Sequence, residues 1–287
     1  MRPLSLVKGS VMTRGLGPIP EGAYGVVERE HDDSPFGVHL QELVINGFTV
    51  LDAGFGPGDR DALASAVEEA HQSYVAFHGH EQLSSVGEAH TVRALLATGG
   101  SRFAHLALAP KLLELVGAAM RTRFILNQQN AIINPAREPY RQGSWHRDLP
   151  YQHYVSSRPL AVNALYCVDD FTAANGATWL LPGTHRVERF PSPSYVKTHA
   201  MQAIAPAGSF LVLDCMIFHA GGWNSTDSDR RGVNHVYTLP SAAQQVSLAG
   251  IGEVLGLDPD HRAILGDGFG AAADAGDYIR GRIARLR

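Results

Sequence analysis

The chain has little cysteine: two residues in 287, Cys167 and Cys215. That excludes a disulfide scaffold and a four-cysteine zinc site. No apolar run approaches the roughly 18 residues a membrane-spanning helix needs, and the N-terminal stretch lacks the apolar centre of a secretory signal. Basic residues are not in excess, since 24 Lys and Arg against 28 Asp and Glu leave a net charge of −4. Long runs of like charge are also missing. A nucleic-acid surface and charged tails are therefore not expected, and neither is a membrane partner. A reducing cytoplasm is the expected compartment, which makes the glycosylation-like Asn224-Ser225-Thr226 accidental. What is present is a globular composition, 45% hydrophobic and 18% charged, with an unusual fourteen histidines.

The chain reads as a single domain with one large core. Residues 1–35 are rich in Gly, Pro and charge and read as an irregular arm. Residues 36–120 are mostly helical in pattern. One helix is predicted from Phe36 to Asn46, stopped by Gly47, and a short strand follows over Phe48–Leu51. Further helices are predicted over Gly58–His78 and Pro110–Met120. From about Arg121 to Pro240, β-branched and aromatic segments alternate with turn clusters: 123–134, 160–168, 177–181, 208–214 and 231–239. Short strands at such spacing predict an all-β sandwich or barrel core with helices packed around it. Residues 241–287 form a C-terminal segment with a helix near its end. The irregular stretches 76–100 and 241–275 are candidate lids. Gly266-Asp267-Gly268-Phe269-Gly270 lacks the strand–turn–helix setting of a phosphate loop, so no such role is assigned.

Chemistry concentrates in His146-Arg147-Asp148. Residues two apart on a strand share a face, so His146 and Asp148 can offer an imidazole nitrogen and a carboxylate to one ion. His219, at the end of the apolar run 210–218 and directly before Ala220-Gly221-Gly222, is a third donor with open space beside it. Two histidines and one carboxylate make the facial triad used for non-haem Fe(II), with three positions left open. Arg230 and Arg231 follow, and a guanidinium holds a carboxylate through two parallel hydrogen bonds. Alternation turns one of them inward without saying which.

The ordered set His146-x-Asp148, Asn175-Gly176-Ala177-Thr178 leading to Pro182-Gly183-Thr184-His185, His219-x-Gly221-x-x-Asn224 and Arg230 resembles the phytanoyl-CoA dioxygenase-like family. The resemblance covers about residues 120–240. It implies a mainly β fold with flanking helices, built on a double-stranded β-helix (a jelly-roll, cupin-like core). It also implies Fe(II) as cofactor, with 2-oxoglutarate and O2 as co-substrates. By resemblance, His146, Asp148 and His219 are the metal ligands and Arg230 binds the distal carboxylate of 2-oxoglutarate. Gln129 and Thr178 match co-substrate-binding positions of some relatives, and His185 matches a structural turn residue. Asp148 stands where halogenating relatives carry a small residue, so hydroxylation is the expected outcome.

The implied activity is oxidation of a C–H bond in a small metabolite or natural-product intermediate, with release of succinate and CO2. A metal-dependent hydrolase or isomerase on a related barrel, or a non-catalytic binding barrel, is the alternative. For substrate contacts the candidates are Tyr151 and His153, just after the metal pair, and Trp223, between His219 and Arg230. Oligomeric state is not written in the sequence.

Overall fold

The computed structural model describes residues 19–20, 22–139, 141–149 and 154–284. Among the described residues nine strands run β1 Phe48–Asp52, β2 Thr91–Val92, β3 Ile125–Asn134, β4 Ala161–Cys167, β5 Trp179–Leu180, β6 Met201–Gln202, β7 Ser209–Asp214, β8 His219–Ala220 and β9 Arg230–Thr238. Six of them form an antiparallel sheet in the order β1-β7-β4-β9-β3-β2, and the other three form a small sheet, β6-β5-β8. Helices α1 Pro35–Asn46, α2 Pro57–His78, α3 His80–Ser85, α4 Leu95–Gly99, α5 Ser101–Ala107 and α6 Pro110–Met120 precede β3. Helix α7, Pro193–His199, precedes β6, and α8 Ile251–Val254, α9 Pro259–Ile264 and α10 Ala275–Ala284 follow β9.

Local chemistry accounts for the main elements. Ser34 caps α1 through its hydroxyl, which accepts from Gly37 N, and Pro35 opens the first turn. Gly47 ends the helix in the left-handed region at φ 84, a conformation that costs a side-chain-bearing residue about 1–2 kcal/mol. The apolar side chains of α2 and α6, among them Leu63, Val67, Leu112 and Leu115, join Leu126, Val162 and Val233 in one buried cluster. The core therefore lies between the helices and the outer face of the large sheet. A second, smaller core between the two sheets contains Leu180, Leu211, Leu213 and Ile217.

Two expectations need correction. The large sheet is not confined to residues 121–240, because β1 and β2 pair with β7 and β3 at its two edges. The stretches 76–100 and 241–275 are not irregular either: they hold α3, β2 and α4, and α8 and α9. These are short elements, below the length at which a hydrophobic period becomes visible.

The turn entering β5 depends on Gly176. Its φ is +78, and a Cβ there would lie 2.3 Å from Gly222 O and 2.5 Å from Asn134 Nδ2. Gly176→Ala is expected to cost more than about 2 kcal/mol, from left-handed backbone strain plus a clash with a main-chain atom that cannot rotate away. Urea denaturation of the two proteins checks this, and an unchanged midpoint would contradict it.

His235 on β9 is buried against the helices. Its Nδ1 lies 2.9 Å from Ala164 O and its Nε2 lies 2.9 Å from Gln129 Nε2. Burial holds its pKa down to about 4, against smaller opposing effects of the Ala164 and Val233 carbonyls. The folded value lies below the unfolded one, so its stabilising contribution is present above about pH 6.5 and lost as pH falls toward 4. The loss amounts to roughly 3 kcal/mol. In His235→Gln this part of the acid sensitivity should disappear, read as a smaller stability difference between neutral and mildly acid solution than wild type shows.

Candidate active site

Two segments deliver the three metal-ligating candidates to one point. His146 and His219 face each other in an antiparallel bridge, exchanging both main-chain hydrogen bonds: His146 N donates to His219 O at 2.9 Å, and His219 N to His146 O at 3.0 Å. Asp148, two residues along, is tied by its own N–H to Cys215 O at 3.1 Å. The ligand atoms of His146, Asp148 and His219 all lie within 4.8 Å of one another.

The backbone also selects which ring nitrogen is free. His146 Nδ1 lies 2.7 Å from Ser144 O, and His219 Nδ1 lies 3.1 Å from Ile217 O. A carbonyl only accepts, so each Nδ1 carries the proton and each Nε2 keeps its lone pair. Carbonyl partners of this kind orient histidine ligands at metal centres. Asp148 Oδ2 accepts from Asn163 Nδ2 at 2.7 Å, while Oδ1 faces His219 Nε2 at 3.6 Å.

Electrostatics agree with this arrangement. Burial is the strongest single influence on Asp148 and opposes its charge. The His219 imidazole, the Asn163 amide and His146 outweigh it together and hold the carboxyl at about 2. His146 is lowered by burial and then by His219. Burial likewise works against a charge on His219, but Asp148 beside it raises that pKa on balance. Cys215 is adjacent, yet burial and then the Asp148 and Asp214 carboxylates push its thiol well above the ordinary range. It remains a protonated thiol. With both rings neutral, their Nε2 lone pairs and the ionised carboxylate suit a divalent first-row metal, and the donor set therefore fits Fe(II).

Arg147, between the ligands in sequence, points the other way. Its guanidinium donates to the carbonyls of Thr184, Val187 and Glu188 and stacks over Phe218, 3.9 Å from the ring centroid. This grips the ligand-bearing strand from behind.

A cavity of about 190 Å³ opens beside the triad. Arg230 and Thr178 line it, both buried. The Arg230 guanidinium lies 3.9 Å over the Phe171 ring. Arg231 turns outward to Asp169, with Nη2 at 2.7 Å and Nε at 3.1 Å from its oxygens. Alternation thus resolves with Arg230 inside.

Two candidates fall elsewhere. Gln129 does not reach the cavity: it is fully buried on the opposite face of β3, donating from Nε2 to Phe103 O at 2.8 Å. A bulge between Leu126 and Gln128 shifts the register, so Gln128, Asn130 and Ile132 face inward instead. Trp223 is exposed and lines a neighbouring groove with Trp145 and Trp179, separate from the metal cavity except for a shared Gly221. Tyr151 and His153 lie outside the described residues. His185 is buried in its turn, with Nε2 3.1 Å from Val44 O of α1.

Several cavity residues escaped sequence reasoning. Asn163 and Asn234 line it from β4 and β9; Asn163 interrupts an otherwise apolar strand, which marks it, whereas Asn234 sits among other polar residues. Arg93 and Gln245 meet at its mouth, with Arg93 Nη1 3.2 Å from Gln245 Oε1. They come from segments far apart in sequence, and no local pattern marks them.

A model of the phytanoyl-CoA dioxygenase family matches residues 44–232. The uncharacterized protein Rv1501 of Mycobacterium tuberculosis is 31% identical over 173 residues, which is 58% of this chain and 62% of that protein. The match thus spans less than two thirds of that relative's length. The iron/alpha-ketoglutarate-dependent dioxygenase ausU of Aspergillus calidoustus is 37% identical over 89 residues, 31% of this chain and 29% of the relative. Among solved structures, EctD from S. alaskensis with 2-oxoglutarate and 5-hydroxyectoine is similar at TM-score 0.61 and 18% identity, covering 75% of this chain and 80% of its own. The epimerase SnoN, in complex with Fe3+, alpha ketoglutarate and nogalamycin RO, is similar at TM-score 0.58 and 18% identity over 85% and 93%. These likenesses establish the shared jelly-roll core. With the family model spanning most of the barrel and the His-Asp-His cluster at its centre, the chain belongs to the phytanoyl-CoA dioxygenase family, whose cofactor set is Fe(II), 2-oxoglutarate and O2.

Proposed function

We propose that this chain is an Fe(II)- and 2-oxoglutarate-dependent dioxygenase that hydroxylates a C–H bond of a small metabolite or natural-product intermediate, releasing succinate and CO2. The observation that carries the reading is one cavity holding a facial His146–Asp148–His219 donor set together with a buried arginine, Arg230. Bound iron would supply the oxidising chemistry. The chain supplies position. His146 and His219 present Nε2 because carbonyls hold their Nδ1 protons, and Asn163 fixes the Asp148 carboxylate. Arg230 takes the distal carboxylate of 2-oxoglutarate through its two-pronged fork. The Thr178 hydroxyl contributes beside it, and Gln128 takes the co-substrate role that the sequence assigned to Gln129. Ile132, Leu165 and Leu213 exclude water from one wall. A carboxylate at position 148 occupies the space a halide would need, which favours hydroxylation.

The small-molecule substrate is supported by the neighbours' ligands, 5-hydroxyectoine in EctD and nogalamycin RO in SnoN. Among the described residues no single helix is long and apolar enough to cross a membrane. Both cysteines are free and buried, which suits a reducing cytoplasm. The experiment is succinate release from 2-oxoglutarate by the purified chain, with Fe(II) and O2 each withheld in turn. Turnover should require both. Succinate formed without either one, or retained at wild-type rate in His146→Ala, would overturn the proposal.

A further inference from the structure

Two carbonyl oxygens in the cavity wall have no hydrogen-bond partner among the described residues, although both are enclosed: Asn163 Oδ1 and Asn234 Oδ1. Asn163 is 4% exposed. Its amide orientation is not a free choice, because Nδ2 donates to the Asp148 carboxylate at 2.7 Å and a carboxylate only accepts. Oδ1 is therefore an acceptor, and it sits next to a metal-ligand candidate. A buried acceptor left without a donor costs about 1–3 kcal/mol, so a native site that keeps two of them is built to meet donors brought from outside.

The sheet places these two oxygens as neighbours. Asn163 pairs with Val236, and Leu165 pairs with Asn234, on the adjoining strands β4 and β9. The two asparagines are thus diagonal on one face, a spacing of about 7–8 Å between backbones. Arg230 and Asn234 share the inward face of β9, four residues apart. The co-substrate cannot satisfy Asn163 Oδ1, nor Asn234 Oδ1 in the orientation it holds here, because at neutral pH 2-oxoglutarate carries two carboxylates and a keto group, all acceptors. Ala161, Val236 and Leu149 form a small apolar cluster with Cys215, whose thiol is a weak donor and has no hydrogen bond to either asparagine oxygen.

We infer that Asn163 and Asn234 are the substrate-reading residues of this site, and that the substrate presents O–H or N–H donors to both. The inference rests on the oxygenase reading above and sharpens it. The reacting end of the substrate is a small polyol, amino or ammonium compound, not a hydrocarbon chain. A site that hydrogen-bonds a hydroxyl or amine rejects the analogue without it strongly, because the buried acceptor is then stranded.

The test uses the full chain loaded with Mn(II) and 2-oxoglutarate, with paired probes that differ in donors. One pair is cyclohexane-1,2-diol and its dimethyl ether; the other is cyclohexylammonium and cyclohexyltrimethylammonium. Binding is read by thermal protection, with 2-oxoglutarate affinity measured alongside. The donor-bearing member of at least one pair should protect at about ten-fold lower concentration than its methylated partner. In Asn234→Leu that ratio should fall to near one while 2-oxoglutarate still binds. The variant without probe should melt no lower than wild type, since an unpaired polar group gives way to an apolar one of similar size.

The inference is overturned if the ratio survives in Asn234→Leu, if the methylated probes bind as well as their partners, or if no donor-bearing probe protects the loaded wild-type chain. Loss of 2-oxoglutarate binding in Asn234→Leu would assign Asn234 to the co-substrate and overturn it equally. Failure of wild type to bind 2-oxoglutarate with metal would be a different result, because it removes the oxygenase reading beneath.

Discussion

His219→Ala should lower Fe(II) affinity by at least ~100-fold, the scale reached when only an outer partner of a metal ligand is lost, and bring succinate release to background. The substitution removes one of three donors and leaves the backbone alone. The paired hydrogen bonds between residues 146 and 219 are main-chain to main-chain and survive it. The variant should therefore fold, with Asp148 still held by Asn163. Equilibrium titration with Fe(II) under exclusion of oxygen separates lost binding from lost folding, since a thermal scan on the same sample reports the latter. Wild-type affinity in a folded variant would mean that the metal is held elsewhere.

Arg230→Gln should raise the KM for 2-oxoglutarate by roughly 100-fold, as expected when a buried charge partner worth several kcal/mol is removed. Saturating co-substrate should restore much of kcat, because Arg230 stands away from the metal donors in the wall of the cavity. Arg230→Lys keeps the charge but loses the planar fork and the stacking over Phe171, so its KM should fall between the two. Arg231 is held by Asp169, and Arg93 by Glu88 with Nε at 2.8 Å and Nη2 at 2.6 Å. An unmoved KM in Arg230→Gln would transfer the carboxylate to Arg93.

Much of this is legible in the sequence. Pro110–Met120 falls where its proline start and apolar spacing predict, and the Gly47 stop, the β3, β4, β7 and β9 segments and the three metal-donor candidates were all visible. These features are local: periodicity, a cap, a two-residue spacing. The errors arose where a local pattern was modified by something distant. Gln129 and Gln128 are adjacent and chemically identical, and only the bulge beside Asn127 decides which one faces the cavity. Bulges leave no reliable mark in a strand's composition. Trp223 lies between His219 and Arg230 in sequence, but its ring is exposed while the next residue, Asn224, is buried. Strands of two residues, such as β2 and β6, exist only because a partner strand offers an edge.

The closing of both edges of the large sheet by β1 and β2 has a practical consequence. Residues 121–240 contain the three metal-donor candidates and Arg230, which invites their isolation as a minimal catalyst. Cut from the N-terminal half, that fragment would lose the strands covering β7 and β3. It would offer two bare rows of amide and carbonyl groups, one of them along the wholly buried strand Ser209–Asp214. Such edges recruit other chains. The fragment is expected to self-associate, chiefly along β7, whose whole length β1 covers in the intact chain.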